Sequence, residues 1–442
     1  MDVEELKQQA NTLFEQKWLP GRDQKEIRQA VSDLEHILSE LQTRNSPAAQ
    51  TVLLRTQILY EQTEQLLYQE IHPVNKPGLQ DLLTRLQPLL STTDQHPRSH
   101  ARYLLNHSTL QAQKNLSALR TDIKSFKHIP FSYVQSAPED ADQLVESMHA
   151  HNLPVTLEKR YHTQPRAATN TQTNLELIGA PAAWEHASGE GIHVGVADTG
   201  CDYQHQALRT RFGDNKGYDF ISDTNQPLDD NGHGTHVAGI IAGTNVGVAP
   251  NAKLYALKFL NAHGSGSQTD FIRAAEWAID HELDVLNGSF GSAQTNEAEE
   301  AICDALQERG VLFVAAAGNR GNTEYSYPAS YESVISTAAV NNDKTRAPFS
   351  QYNDQVTISA PGVDIRSCVP GGYDVFSGTS MAAPHVAGAA ALIQQRTNNS
   401  AQTKDLLLEA AEELGAANKY GRGLVRPDKA LNLTDVLARY YT

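Results

Sequence analysis

Three residues of the 442-residue chain have the types and settings that nucleophilic catalysis requires: Asp198, His233 and Ser380. Asp198 closes the apolar run "HVGVAD" and is followed by Thr199 and Gly200, which places a carboxylate at a strand end before a turn. His233 stands in "DDNGHGTHVAG", bracketed by glycines at the start of a helical pattern. Ser380 stands in "SGTSMAAPHVAG", one step before a run of small residues with the pattern of a helix. A serine hydroxyl is a poor nucleophile at its free pKa. It needs a histidine to take its proton, and the histidine needs a carboxylate to fix its tautomer and stabilise the imidazolium. Each residue alone has an ordinary reading: a helix cap for Ser380, a turn for Asp-Thr-Gly, a helix-start histidine for His233. All three at element junctions, in the order Asp, His, Ser, point instead to acyl transfer.

These side chains need a scaffold, and the sequence beyond residue 170 describes one. Apolar segments such as "IHVGVADTG", "KLYALKFL", "LDVLNGSFG", "VLFVAAAGN" and "VISTAAV" alternate with helical ones such as "THVAGIIAG", "TDFIRAAEWAIDH" and "EAICDALQERG". Continuous apolar strands separated by helices predict a largely parallel sheet covered on both faces, an α/β fold with functional residues at the C-terminal strand ends. Residues 98–167 read differently: "ARYLLN" as a strand, 108–122 as a helix, "FKHIPFSYVQSA" as one or two strands, 138–151 as a helix and "PVTLEKRYH" as a final strand. That order, β-α-β-β-α-β, predicts a small ferredoxin-like α+β domain, joined onward through the polar, turn-rich "QPRAATNTQTN". Residues 1–97 are helical in pattern, with Ile27, Val31, Leu34, Leu38 and Leu41 along one face and further helices expected at 50–71 and 77–90, as in stacked antiparallel helices. Three domains follow: 1–97, 98–167 and 168–442.

Composition removes several functions. The net charge of −16 lies mainly beyond residue 115, and no basic block offers phosphates a landing surface, which argues against nucleic acid as a partner. The N-terminal "MDVEELKQQANTLFEQ" lacks the basic start and apolar core of an export signal, and no apolar run reaches the length of a membrane span, so a cytoplasmic protein is expected. Cys201, Cys303 and Cys368 are odd in number, widely spaced and without metal-site spacing, which suits buried reduced thiols.

The blocks "VADTG", "NGHGTHVAG", "LNGSFG", "VAAAGN" and "SGTSMAAPHVAGAAALI" resemble the signature segments of the subtilisin-like serine peptidases, and the resemblance runs from about 168 to 442, including "YGRGLVRPDKAL". It implies a subtilisin-like α/β catalytic domain and a serine endopeptidase. Asp198 would be the orienting acid, His233 the general base and acid, and Ser380 the nucleophile. Asn319 would supply the side-chain donor of an oxyanion hole beside the Ser380 backbone N–H. Gly264, Ser265 and Gly266, with Ser289, Phe290 and Gly291, match the strands that bind a peptide substrate by backbone pairing; Ala316 and Gly318 would complete the substrate site. Either of the first two glycines can equally be an ordinary turn residue. No cofactor is required. Ala207 stands where many relatives place an aspartate ligand to calcium, and the loop through "TNVGVAP" is short, so that calcium site is expected to be absent, with weaker oxygen-ligand sites left open.

Residues 98–167 resemble the family's inhibitory prodomain. By that resemblance the tail near Tyr161 to Ala168 would lie in the active-site cleft and be cut by Ser380 of the same molecule, making the chain a latent, autoprocessed zymogen whose own prodomain is its first partner. Two other readings stay open: an acyl-enzyme that ligates or cyclises peptides instead of hydrolysing them, and a scaffold whose helical domain binds a partner. Residues 1–97 would act as a docking or sensing element for a regulatory protein.

Overall fold

The computed structural model of the chain describes residues 101–108, 123–136, 144, 148, 153, 155–162, 166–167 and 174–441. The helices expected within 1–97 and at 108–122 lie largely or wholly outside these residues, as does most of 138–151, of which Leu144 and Met148 are helical. The strands are β1 (Ala101–Asn106), β2 (Ile123–Ser125), β3 (Phe131–Ser136), β4 (Val155–Leu157), β5 (Arg160–His162), β6 (Arg166–Ala167), β7 (His193–Asp198), β8 (Gly217–Asp219), β9 (Lys253–Lys258), β10 (Ser265–Ser267), β11 (Val285–Gly288), β12 (Leu312–Ala316), β13 (Ile335–Val340), β14 (Ile358–Pro361), β15 (Ile365–Val369) and β16 (Gly372–Ser377). The longer helices are α1 (His233–Ala242), α2 (Gln268–Asp280), α3 (Glu297–Glu308), α4 (Thr379–Thr397), α5 (Ser400–Glu409) and α6 (Pro427–Tyr441).

Two compact units divide the chain. In the first, an antiparallel sheet of order β2-β3-β1-β4 carries a core of Tyr103, Leu105, Val134, Met148 and Leu153. The run "FKHIPFSYVQSA", expected as one or two strands, gives one, β3; β2 lies just before it, at Ile123–Ser125. The run "PVTLEKRYH", expected as one, breaks: β4 stays in this sheet, whereas β5 pairs antiparallel with β10 of the second unit, with Tyr161 opposite Gly266. Glu158 and Lys159, at the break, are both buried.

The second unit is built on seven parallel strands in the order β14-β13-β12-β11-β7-β9-β8. Alternation along the strands separates two faces. Val194, Val196, Leu254, Ala256, Val285 and Val314 share one core with Met381, Val386 and Leu392 of α4. Residues of the opposite parity form the other face: a Cβ at Gly195 would meet Leu257, Leu283 and Leu286, and Phe313 stacks with Phe271 of α2. The helix starts are chemically marked. The Ser267 hydroxyl accepts from the Asp270 N–H at 3.1 Å to open α2, and the Asn296 side chain accepts from the Ala298 N–H at 2.9 Å to open α3. All three cysteines are free and buried. Among the described residues no helix is long and apolar enough to cross a membrane.

Two histidines are enclosed without a carboxylate partner, and they set an acid limit on the fold. His385 of α4 donates through Nδ1 to the Met381 carbonyl at 2.8 Å, so Nε2 accepts from Asn174 Nδ2 at 2.7 Å. His236 stacks on Phe376 and donates through Nε2 to the Asp374 carbonyl at 3.2 Å. Burial, aided for His236 by nearby His233, lowers their pKa values to about 4 and about 3. An unfolded chain protonates both near 6.5. Below that pH the unfolded state binds more protons than the folded one, so this contribution to stability is complete above about pH 6.5 and is lost as the pH falls toward 4. Unfolding free energies from urea titrations at pH 7.5 to 5 should fall, with a slope approaching about 2.7 kcal/mol per pH unit from the pair, and His385→Gln should make the dependence shallower.

Candidate active site

The C-terminal ends of three neighbouring strands bring most of the expected residues together. Asp198 ends β7, Ser289 follows β11, and Ala316, Gly318 and Asn319 end or follow β12. Ser380 is the second residue of α4, inside the helix and not its cap, which answers the ordinary reading of that serine.

His233 opens α1, and its Nδ1 lies 2.7 and 2.9 Å from the two oxygens of the Asp198 carboxylate, both side chains being fully buried. A carboxylate facing Nδ1 holds the proton there and leaves Nε2 as the basic lone pair. Nε2 is buried, with no hydrogen-bond partner among the described residues. The close approach of α1 to β7 depends on a missing side chain: a Cβ on Gly234 would stand 2.1 Å from the Gly200 carbonyl oxygen and 3.2 Å from Asp198 Oδ1. Asp229 secures the helix start. Its Oδ1 accepts from the N–H groups of Asn231 and Gly232 at 3.0 and 2.9 Å, and its Oδ2 from the Thr235 N–H at 2.9 Å. It also accepts from Thr199 Oγ1 at 2.8 Å, which ties the loop after Asp198 to the helix carrying His233.

The Ser380 hydroxyl donates to the Ser289 carbonyl at 3.1 Å, not to His233. In return the Ser289 hydroxyl donates to the Ser380 carbonyl at 2.9 Å. That second bond has its cause in the sequence. The Ser380 carbonyl would receive the N–H of residue 384 in a regular helix; residue 384 is proline and has none. Ser289 supplies the missing donor.

Asn319 Oδ1 accepts from both the backbone N–H and the hydroxyl of Thr379, at 2.8 and 2.9 Å, which fixes the orientation of its amide. Gly318 adopts φ +107°, and a Cβ there would meet Gln351 Oε1 at 1.9 Å, so a side chain at this position is excluded by both backbone and space. Phe290, Gly291, Ala316 and Gly318 line one small cavity with Asn319 and Ser380, and Ser326 and Thr379 join them. Gly264, Ser265 and Gly266 stand apart from this cavity, on and beside β10, where β5 pairs. A serine hydroxyl, an imidazole held by a buried acid, an amide of fixed orientation and a strand edge that pairs with another strand are the kinds of group an acyl-transfer site needs.

A family model described as "Subtilase family" matches residues 189–423, more than half of the chain. The chain belongs to the subtilase family. An alkaline protease of Alkalihalobacillus alcalophilus is 39% identical over 317 residues, covering 70% of this chain and 81% of that protein. Subtilisin NAT of Bacillus subtilis subsp. natto is 38% identical over 314 residues, 68% of this chain and 81% of its own. Subtilisin Savinase of Lederbergia lenta is 41% identical over 272 residues, 60% of this chain and 99% of its own. This subtilase is therefore a subtilisin-like serine endopeptidase, a hydrolase with the α/β fold and the parallel sheet that the sequence predicts.

Sequence reasoning missed several residues of the site. Thr379 and Asp229 act through neighbours, and nothing in their local pattern distinguishes them from ordinary turn and cap residues. Glu299 is different. It lies at the buried end of the spacing 299, 302, 303, 306 that places Ile302, Cys303 and Leu306 in the core, so a charge stands where the apolar stripe asks for a hydrophobe.

Proposed function

We propose that this chain hydrolyses peptide bonds through an acyl-enzyme on Ser380, with His233 as general base and acid, Asp198 as the orienting carboxylate, and Asn319 with the Ser380 N–H as oxyanion donors. The observation that carries the reading is the His233 ring, with one nitrogen on a buried carboxylate and the other without a hydrogen-bond partner among the described residues. In the first step Ser380 Oγ attacks the scissile carbonyl carbon while His233 Nε2 takes its proton. As the tetrahedral oxyanion collapses, the same proton passes to the leaving amine, and water then repeats the sequence on the ester. For this step the Ser380 hydroxyl gives up its bond to the Ser289 carbonyl and donates to Nε2 instead. No cofactor enters these steps. Ala207, buried and without a ligand oxygen in its side chain, does not fit the family's calcium site, and among the described residues no group of three or more His, Cys, Asp or Glu is placed to hold a metal.

The chain is made latent by its own strand. β5 occupies β10 as an added antiparallel strand, the mode in which an extended peptide would bind there, and the chain from Tyr161 toward Ala168 is the first substrate. Residues 1–97 would serve as the docking or sensing element that releases this hold.

A fluorophosphonate probe tests the chemistry directly. It should add once to wild type, on the peptide bearing Ser380, and not at all to His233→Ala, with intact mass showing a cut within 161–168 only in the active protein. Labelling elsewhere, or equal labelling of His233→Ala, would overturn the assignment of nucleophile and base.

A further inference from the structure

The pocket filled by Tyr161 contains a feature that backbone pairing alone does not require. The Tyr161 ring is fully buried among Phe259, Phe271 and Phe290, with centroids 5.7, 5.6 and 4.8 Å away, all edge-on. At the end of this aromatic cage stands the Glu299 carboxylate, itself completely buried. Its donors are the Tyr161 hydroxyl, the Lys159 ammonium and the Tyr331 hydroxyl, the last at 2.8 Å. Lys159 also donates to the Gln294 carbonyl at 2.6 Å. Side chains two apart on an extended strand share a face, so positions 159 and 161 both reach Glu299 while the backbone between them pairs with β10.

A fully buried carboxylate persists only when it is paired and hydrogen-bonded. Two of the three donors on Glu299 arrive with the strand at 159–161. Any peptide that takes the place of that strand must bring donors of its own or leave the carboxylate, among the described residues, with the Tyr331 hydroxyl alone. A phenylalanine would fill the cage equally well and leave Glu299 short of a bond. Burial pushes the Tyr161 phenol well above its ordinary pKa, so it is protonated and a donor at any working pH.

We infer that Glu299 is a specificity residue of this subtilase: it makes the pocket beside β10 select peptide strands of the form Lys-X-Tyr, a phenol preceded two residues earlier by an ammonium, over otherwise identical strands with phenylalanine or an uncharged residue there. The inference rests on the proposed reading of β10 as the substrate-binding edge and assigns the substrate class of that edge.

The test reads binding, so it is independent of which group is the nucleophile. Full-length Ser380→Ala carrying Lys159→Ala and Tyr161→Ala, whose own strand has lost both contacts, is titrated into a fluorescein-labelled peptide of residues 157–165. Tyr161→Phe and Lys159→Met versions of the peptide should each bind about 10- to 100-fold more weakly. With Glu299→Leu added to the protein, the Phe peptide should bind at least as well as the Tyr peptide. A Tyr-to-Phe ratio that is the same with and without Glu299 overturns the inference, and so does failure of every peptide to bind. If the opened protein does not fold, the contact is read in full-length Ser380→Ala with its strand intact. Tyr161→Phe should then lower the thermal midpoint when residue 299 is Glu and not when it is Leu; equal shifts overturn the inference.

Discussion

Full-length Ser380→Ala is expected to hydrolyse a casein about 10⁶-fold more slowly in kcat than wild type incubated beside it, a magnitude measured on a subtilisin and carried over to this chain. The substitution removes the Oγ nucleophile and keeps the Cβ, so the buried start of α4 loses one bond, to the Ser289 carbonyl, and no packing. The reciprocal bond from Ser289 to the Ser380 carbonyl is a backbone contact and survives. Residual turnover should persist above the uncatalysed rate, since on the proposed reading the oxyanion donors, Asn319 and the main-chain N–H of residue 380, are retained. Fragment release within tenfold of wild type would mean that the nucleophile lies elsewhere.

Asp198→Asn should cost less but still about 10⁴-fold, the scale of the same change in an unrelated serine protease. The local hydrogen bonds say why. The Thr199 N–H donates to Asp198 Oδ1 at 2.7 Å, so an amide at this position places its oxygen there and its NH₂ where Oδ2 now lies, 2.9 Å from His233 Nδ1. A donor facing Nδ1 favours the tautomer in which that nitrogen accepts and the ring proton sits on Nε2, and the neutral amide oxygen left 2.7 Å from Nδ1 holds a proton there less strongly than a carboxylate does. The imidazole is then protonated where it must act as a base. Side-chain volume hardly changes, so the urea midpoint should move far less than the rate. A loss of activity matched by a comparable loss of stability would point to a structural role for Asp198 instead.

The residues argued in these two experiments were legible in the sequence because each lies in a short glycine-bearing block whose local geometry is set by its own residues. Gly234 shows the physics: the motif places a glycine next to His233, and a Cβ there would collide with the Gly200 carbonyl. The parallel sheet was legible for a similar reason, since strands buried on both faces must be apolar throughout. What could not be read is what depends on distant chain. The division of "PVTLEKRYH" into two strands follows from the edge of β10, about a hundred residues away, and from the buried contacts of Lys159 with Glu299 and Gln294. An acid in the first turn of α3 reads as a favourable partner of the helix dipole, and only its position on the apolar stripe hints at burial. The resting bond of Ser380 to Ser289 was equally out of reach: Pro384 announces an unpaired carbonyl, not the group that satisfies it.

Strand β5 is covalently part of the molecule whose β10 edge it covers. If β10 is the substrate edge, as proposed, a peptide arriving from solution would compete against a ligand held at an effective concentration on the order of millimolar, whatever the concentration of the protein. Dilution cannot loosen that hold, and crowding cannot tighten it. Once the chain is cut beyond β5, the same contacts become a bimolecular equilibrium governed by mass action, and the strand can leave for good in a large volume. On the proposed reading, a single hydrolysed bond would convert a concentration-independent brake into one whose strength depends on how much of the released piece remains nearby.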